Sequence, residues 1–120
     1  MQNTELAESN AVAVAEIWLA LIDADKIAES WSEAASLFRA AFPVEQWEAK
    51  LKAAQTLIGK ALSRKLRSAT YAEELPGAPD GEYVVIEYET SFEKKKNGIE
   101  TITPMKDTDG VWRVAGYFVK

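Results

Sequence analysis

The chain has 120 residues, 48% hydrophobic and 28% charged, with a formal net charge of −5. This is the composition of one globular domain able to bury its own core, and it excludes a disordered chain. The absence of cysteine and histidine removes disulfides, thiolate chemistry, Ser-His and Cys-His pairs and the commonest metal ligand, while the acidic balance argues against nucleic acid and anionic lipid as partners.

Three helical patterns come first. Val14, Ile17, Trp18, Leu21 and Ile22 share one face at helical spacing. Asp23-Ala24-Asp25 breaks the pattern, and Asp25 suits the cap of a second helix carrying Ile27, Trp31, Ala34, Ala35, Phe38 and Phe42. Pro43 fits the first turn of a third helix, whose apolar face is Trp47, Leu51, Ala54, Ile58 and Ala61. From Leu62 to Leu75 the residues suit a long bent strand with poor alternation, so its faces stay unassigned. A turn-rich loop, Leu75 to Gly81, leads to a strand from Glu82 to Phe92. Turns at Asn97-Gly98 and Asp107 to Gly110 bound two more strands, Ile99–Met105 and Val111–Val119. The expectation is a single α+β domain over residues 1–120, helical over about 5–60 and sheet over about 62–119. Three helices pack on one face of a curved four-stranded antiparallel meander.

Pairing the last strands through these turns divides the sheet into two faces. The inner face collects Val84, Ile86, Tyr88, Thr90, Phe92, Ile99, Thr101, Thr103, Met105, Trp112, Val114, Gly116 and Phe118. The outer face collects Tyr83, Val85, Glu87, Glu89, Glu100, Ile102, Arg113, Ala115 and Tyr117.

Little here carries chemistry. Asp107-Thr108-Asp109-Gly110 opens like a calcium loop but lacks the later ligands, so it reads as a hairpin turn. Gly59-Lys60 lacks the earlier glycine of a P-loop. Lys94-Lys95-Lys96 reads as a solvated hairpin tip. Glu87, Glu89 and Glu100, on the face assigned to solvent, read as salt-bridging groups rather than an acid/base or metal cluster. No catalytic residue, metal or cofactor is expected. Core packing is the default for Trp18, Trp31, Trp47 and Trp112. Trp18, Trp31 and Trp112 could also join Tyr88, Thr101, Thr103 and Gly116 around a pocket for a small apolar ligand.

Several stretches resemble a bacterial domain family of unknown function, the one numbered 4019. They are Trp18-Leu19-Ala20-Leu21-Ile22-Asp23, Ser30-Trp31, Phe38, Trp47, Tyr71, Leu75 to Ile86, Glu100 to Met105 and Gly110 to Tyr117. The resemblance implies short proteins, often exported, and a cystatin-like or nuclear-transport-factor-like fold in which a curved sheet wraps a helix. It supplies no catalytic residues. Met1 to Glu5 lacks the basic start and apolar core of a signal peptide, and no run is long enough to span a membrane. A periplasmic location is expected if the chain is a mature exported form, a cytoplasmic one otherwise.

The expected function is a non-enzymatic binding or interaction domain, homodimeric or bound to a protein partner. Its contact surface is the outer sheet face, through Tyr83, Val85, Ile102, Arg113, Ala115 and Tyr117. A carrier of a small apolar ligand is the alternative. An isomerase or dehydratase ranks third, since the inner face as assigned lacks an acid or base.

Overall fold

The computed structural model describes residues 4–120. Four helices come first: α1 (Thr4–Asp23), α2 (Ile27–Ser32), α3 (Ser36–Ala41) and α4 (Val44–Ile58). Four strands follow: β1 (Ala61–Ala72), β2 (Tyr83–Phe92), β3 (Lys95–Lys106) and β4 (Trp112–Val119). They form a curved, open antiparallel sheet in the order β1-β2-β3-β4. The α+β class and the helices-then-meander order agree with the sequence reading.

The second helix of that reading is two short ones. Ala35 is extended between them, and its N–H donates to the Val114 carbonyl on the free edge of β4. That bond ties the chain to the sheet and breaks the helix. Asp25 is not the cap of α2: that position belongs to Lys26. Asp25 instead adopts a left-handed φ of 61°, which aspartate tolerates better than most residues. Pro43 stands one residue ahead of α4, as its N-cap. Gly59, at φ 78°, ends α4 before Ala61 begins β1.

The poor alternation of β1 has a cause. Its register slips at Leu62 and again at Arg67. Each bulge adds a residue and exchanges the faces beyond it.

The hairpin between β2 and β3 departs most from expectation. Phe92 pairs with Lys95, so Glu93 and Lys94 make the turn. Asn97-Gly98 lies inside β3. Gly98 has no left-handed φ; it is small because the Phe92 ring lies on it. A Cβ there would stand 2.7 Å from Phe92 Cε2 and 3.2 Å from the Thr90 carbonyl oxygen. Gly98→Ala should therefore destabilise the domain by about 1–3 kcal/mol, as measured by urea unfolding. Relief of the loss by Phe92→Leu would identify the ring as the obstacle.

A register shift between Thr90 and Phe92 sets β3 one residue away from the expected parity. Ile86 faces Ile102, Tyr88 faces Glu100 and Thr90 faces Gly98. A second shift, at Ala115, lies between the pairs Pro104–Val114 and Thr103–Gly116. Two corrections follow. Glu100, Ile102 and Tyr117 turn toward the helices, whereas Ile99, Thr101, Thr103, Met105, Gly116 and Phe118 turn away. Trp112 and Val114 keep the inward orientation expected of them, because the bulge restores their parity.

The core lies between the helices and this inner face. Ala11, Ala15, Trp18, Leu19 and Ile22 of α1 and Trp47 and Leu51 of α4 pack on Val84, Ile86, Ile102 and Val114. Ile17, expected on the buried stripe, is 67% exposed. Trp18, Phe38, Trp47 and Tyr117 form a continuous aromatic cluster with centroid separations of 5.0–6.4 Å. Their contacts add to the area term of burial.

Candidate functional site

Reversal of β3 brings a carboxylate into the interior. The Glu100 side chain is fully buried, and three elements supply its partners. Arg64 on β1 donates from Nε to Oε1 at 2.6 Å and from Nη2 to Oε2 at 3.3 Å. The Thr90 hydroxyl on β2 donates to Oε1 at 2.6 Å. The Tyr117 hydroxyl on β4 donates to Oε2. Arg64 also reaches α1, donating from Nη1 and Nη2 to the two oxygens of Asp23 at 2.6 and 2.9 Å. One guanidinium thus bridges a buried and a partly exposed carboxylate, a geometry that suits arginine's planar fork and not lysine.

The cluster perturbs its members. Burial, then the charge of Glu100 and the hydrogen bond to it, pushes the Tyr117 phenol far above its ordinary range. Tyr117 therefore stays protonated and donating across the physiological range. Burial opposes the charge of Arg64, but the bonds to Asp23 and Glu100 outweigh it and hold the guanidinium charged. With both oxygens of Glu100 occupied by donors, the carboxylate has no free lone pair aimed at a substrate. Its chemistry is that of a strut binding β1, β2, β3 and β4 at one point.

A second buried carboxylate lies at the opposite end of the sheet. Asp107, 6% exposed, closes the β3–β4 turn and serves α3. Its Oδ2 accepts from the Ser36 N–H at 3.0 Å and its Oδ1 from the Ser36 hydroxyl at 2.7 Å. The Thr108 N–H and Arg113 add further bonds. The bonds from Ser36 pull the Asp107 carboxyl down to about 2. A depressed carboxyl stabilises the fold above its unfolded pKa, and that contribution disappears as pH falls through the folded value. Acidification from pH 5 to pH 2 should thus cost wild type about 2 kcal/mol more than Asp107→Asn, seen in the pH dependence of denaturant midpoints. Equal slopes would contradict the assignment.

Clefts border the inner face. One of about 460 Å³ runs between α1 and the start of β4. Val14, Ile17, Trp18 and Leu21 line one side and Val111 and Trp112 the other, with Glu29, Glu33 and Arg113 as its charged groups. A smaller one of about 280 Å³ lies between α1 and β1–β2 beside Arg64 and Tyr88. Burial first, then the charge of Glu16, pushes the Tyr88 phenol up to about 12.

Of the residues expected to line a pocket, Trp18 and Trp112 both line the larger cleft, and Tyr88 lines the smaller one. Trp31 is not with them; its indole N–H donates to the Phe42 carbonyl at 2.6 Å. Thr101, Thr103 and Gly116 lie on the opposite face of the sheet. A Cβ on Gly116 would come no nearer than 4.0 Å to the Thr103 Cβ, so this glycine makes no inner cavity. Of the residues expected at an outer interface, Ile102 is fully buried against the helices and Tyr117 is bound to Glu100. Tyr83 does lie on the outer face but is 1% exposed, its hydroxyl held by the Pro79 carbonyl. The loop before β2 covers it. Val85 and Ala115 remain half-buried there, and Arg113 is engaged by Asp109 at 2.8 and 2.9 Å.

The outer face is thereby redefined. Its centre is Ile99, Thr101, Thr103, Met105, Gly116 and Phe118, all uncharged. Phe118 is 56% exposed. Glu87 and Glu89 on β2 flank this centre on one side, and Lys120, paired with Ile99, flanks it on the other.

A family model described as protein of unknown function (DUF4019) matches residues 14–117. The chain belongs to that family. The match runs from within α1 to Tyr117 in β4, so in this DUF4019 chain the Glu100 cluster and both clefts fall inside the shared region. No curated protein and no solved structure matches the chain. Among the described residues no group of three acidic side chains could hold a metal ion. Nor is any helix among them long and apolar enough to cross a membrane.

Sequence reasoning missed the Glu100 cluster altogether. Thr101 and Thr103 flanking the apolar Ile102 were the signal that could have found it, since polar residues at alternate positions normally face away from the core.

Proposed function

We propose that this DUF4019 domain is a non-enzymatic interaction module that pairs with a second copy of itself through the outer sheet face. The observation that carries this reading is the uncharged centre of that face, from which Phe118 projects 56% exposed. An uncharged, partly exposed sheet centre with a projecting phenylalanine is the kind of surface that a partner covers. The chemistry inside the molecule supports the same reading from the other side. Its fully buried carboxylate, Glu100, is saturated by Arg64, Thr90 and Tyr117, which suits a scaffold better than a general base.

A second copy is favoured over another protein for two reasons. Strands of this length, four abreast, span on the order of 500–700 Å² of curved sheet, close to the ~800 Å² each partner contributes to a stable complex. The charges allow the same pairing. A two-fold axis along β3 sets Glu89 of one copy toward Lys120 of its partner, while Glu87 keeps its own contact with Arg67 at 3.8 Å. The helices-then-meander order is in keeping with a cystatin-like or nuclear-transport-factor-like domain, a fold group that includes pure dimerisation modules. The reading is tested by light scattering on the eluting protein. Twice the 13.3 kDa chain mass is expected at micromolar concentration, and a monomer up to hundreds of micromolar would end it.

A further inference from the structure

One buried side chain stands apart from the satisfied interior. Tyr88 is 3% exposed, yet its hydroxyl is the one buried side-chain polar atom among the described residues without a hydrogen-bond partner. Natural interiors rarely leave such a group alone, because a buried hydroxyl loses its water and gains nothing in return. Phenylalanine would fill the same space without that cost. The orphaned phenol therefore points to a partner that comes from outside the chain.

The neighbouring cleft shows what kind of partner. It measures about 280 Å³, near the lower end of small-molecule sites. α1 contributes Glu16, Leu19 and Ala20, and β1 contributes Arg64 and Leu66. Leu66 is 46% exposed and the cleft opens to solvent, so a ligand has both an apolar wall and an entrance. The charges decide its sign. Glu16, Asp23 and Glu100 outnumber the single cation Arg64, which is already shared between Asp23 and Glu100. Glu16 has no ion-pair partner among the described residues and lines the same cleft as Tyr88. An anion is repelled here. Glu16 is exposed, so water solvates it in the free protein, and only a cation gains from its charge on binding.

We propose that the cleft between α1 and β1–β2 binds a small organic cation, a primary or secondary amine on a short apolar group. Its N–H donates to the Tyr88 hydroxyl oxygen, Glu16 balances its charge, and its apolar part lies on Leu19, Ala20 and Leu66. This site lies on the opposite side of the sheet from the self-pairing face and stands without it.

The test is an NMR titration of the full chain with benzylamine, and with benzyl alcohol and benzoate as neutral and anionic counterparts of the same shape. Benzylammonium should shift the Tyr88 ring and Leu66 methyl resonances saturably, and the two counterparts should not. Tyr88→Phe and Glu16→Gln should each weaken that binding by about tenfold, as expected for a hydrogen bond or ion contact to a charged group. Without amine, Tyr88→Phe should melt no lower than wild type, because the hydroxyl it removes has no partner in the free protein. Equal binding of benzyl alcohol, or undiminished binding to Tyr88→Phe, would overturn the proposal. So would the absence of any saturable shift. A lower melting temperature of Tyr88→Phe with no amine binding would overturn it too, by showing that ordered water is the partner of the phenol.

Discussion

Replacing Glu100 by alanine should destabilise the domain by about 3–5 kcal/mol, the usual result of breaking a buried ion pair from one side. Four losses combine. Arg64, only 18% exposed, keeps its charge but loses its buried partner. The hydroxyls of Thr90 and Tyr117 lose their acceptor. A void the size of the removed carboxylate and methylene groups opens beneath the aromatic cluster. In a domain of this size the melting temperature should fall by roughly 10 °C or more. Glu100→Gln, which retains the shape and one acceptor, should cost distinctly less. The double variant Arg64→Met with Glu100→Leu should recover part of the loss, because removing both charges also removes their desolvation cost. If Glu100→Ala unfolds at the wild-type denaturant midpoint, the carboxylate does not occupy the interior.

Two neighbouring aromatic residues on β4 should respond in opposite ways to the same substitution. Phe118→Glu should leave the fold within about 0.5 kcal/mol of wild type, as most exposed positions do. It should weaken the proposed self-association by about a hundredfold or more, since a two-fold axis would set two new carboxylates into the uncharged centre of the contact. Tyr117→Glu should do the reverse. It removes the ring that packs on Trp18 at 5.5 Å and Trp47 at 6.4 Å. It also sets a second carboxylate beside the buried Glu100, where like charges repel strongly. Most of the protein should then be unfolded, as seen in its near-ultraviolet circular dichroism. Only the Ala115 bulge makes the assignment come out this way. Without it, 117 would face outward and 118 inward.

The contrast also shows how far the sequence could be read. The helical stripes through Trp18, Phe38 and Trp47 were legible because a period of 3.6 survives small errors in helix ends. β2 was legible because Val84, Ile86 and Tyr88 alternate without interruption, and the Asp107–Gly110 turn because its residues suit little else. The faces of β3 and β4 were not legible. A strand's orientation depends on a count modulo two, and one extra residue anywhere upstream exchanges its faces. Two such residues, one between the Glu93-Lys94 turn and Gly98 and one at Ala115, carry no compositional mark. Asn97-Gly98, a strong turn signal elsewhere, is occupied here by the packing of Phe92. The site failed for a related reason. A glutamate on a strand is ordinarily taken as exposed, and the residue that makes burial of Glu100 affordable, Arg64, is 36 positions away on a strand whose own faces are interrupted by bulges. Asp23, the third member, looked only like the end of a helix.

The self-pairing of the outer face is tested most directly by backbone amide shifts recorded on wild type over a hundredfold dilution. Concentration-dependent shifts should cluster at Ile99, Thr101, Thr103, Gly116 and Phe118, while the amides of α1 and α4 stay fixed. Shifts confined to α1 or α4, or none at any residue, would contradict pairing through this face.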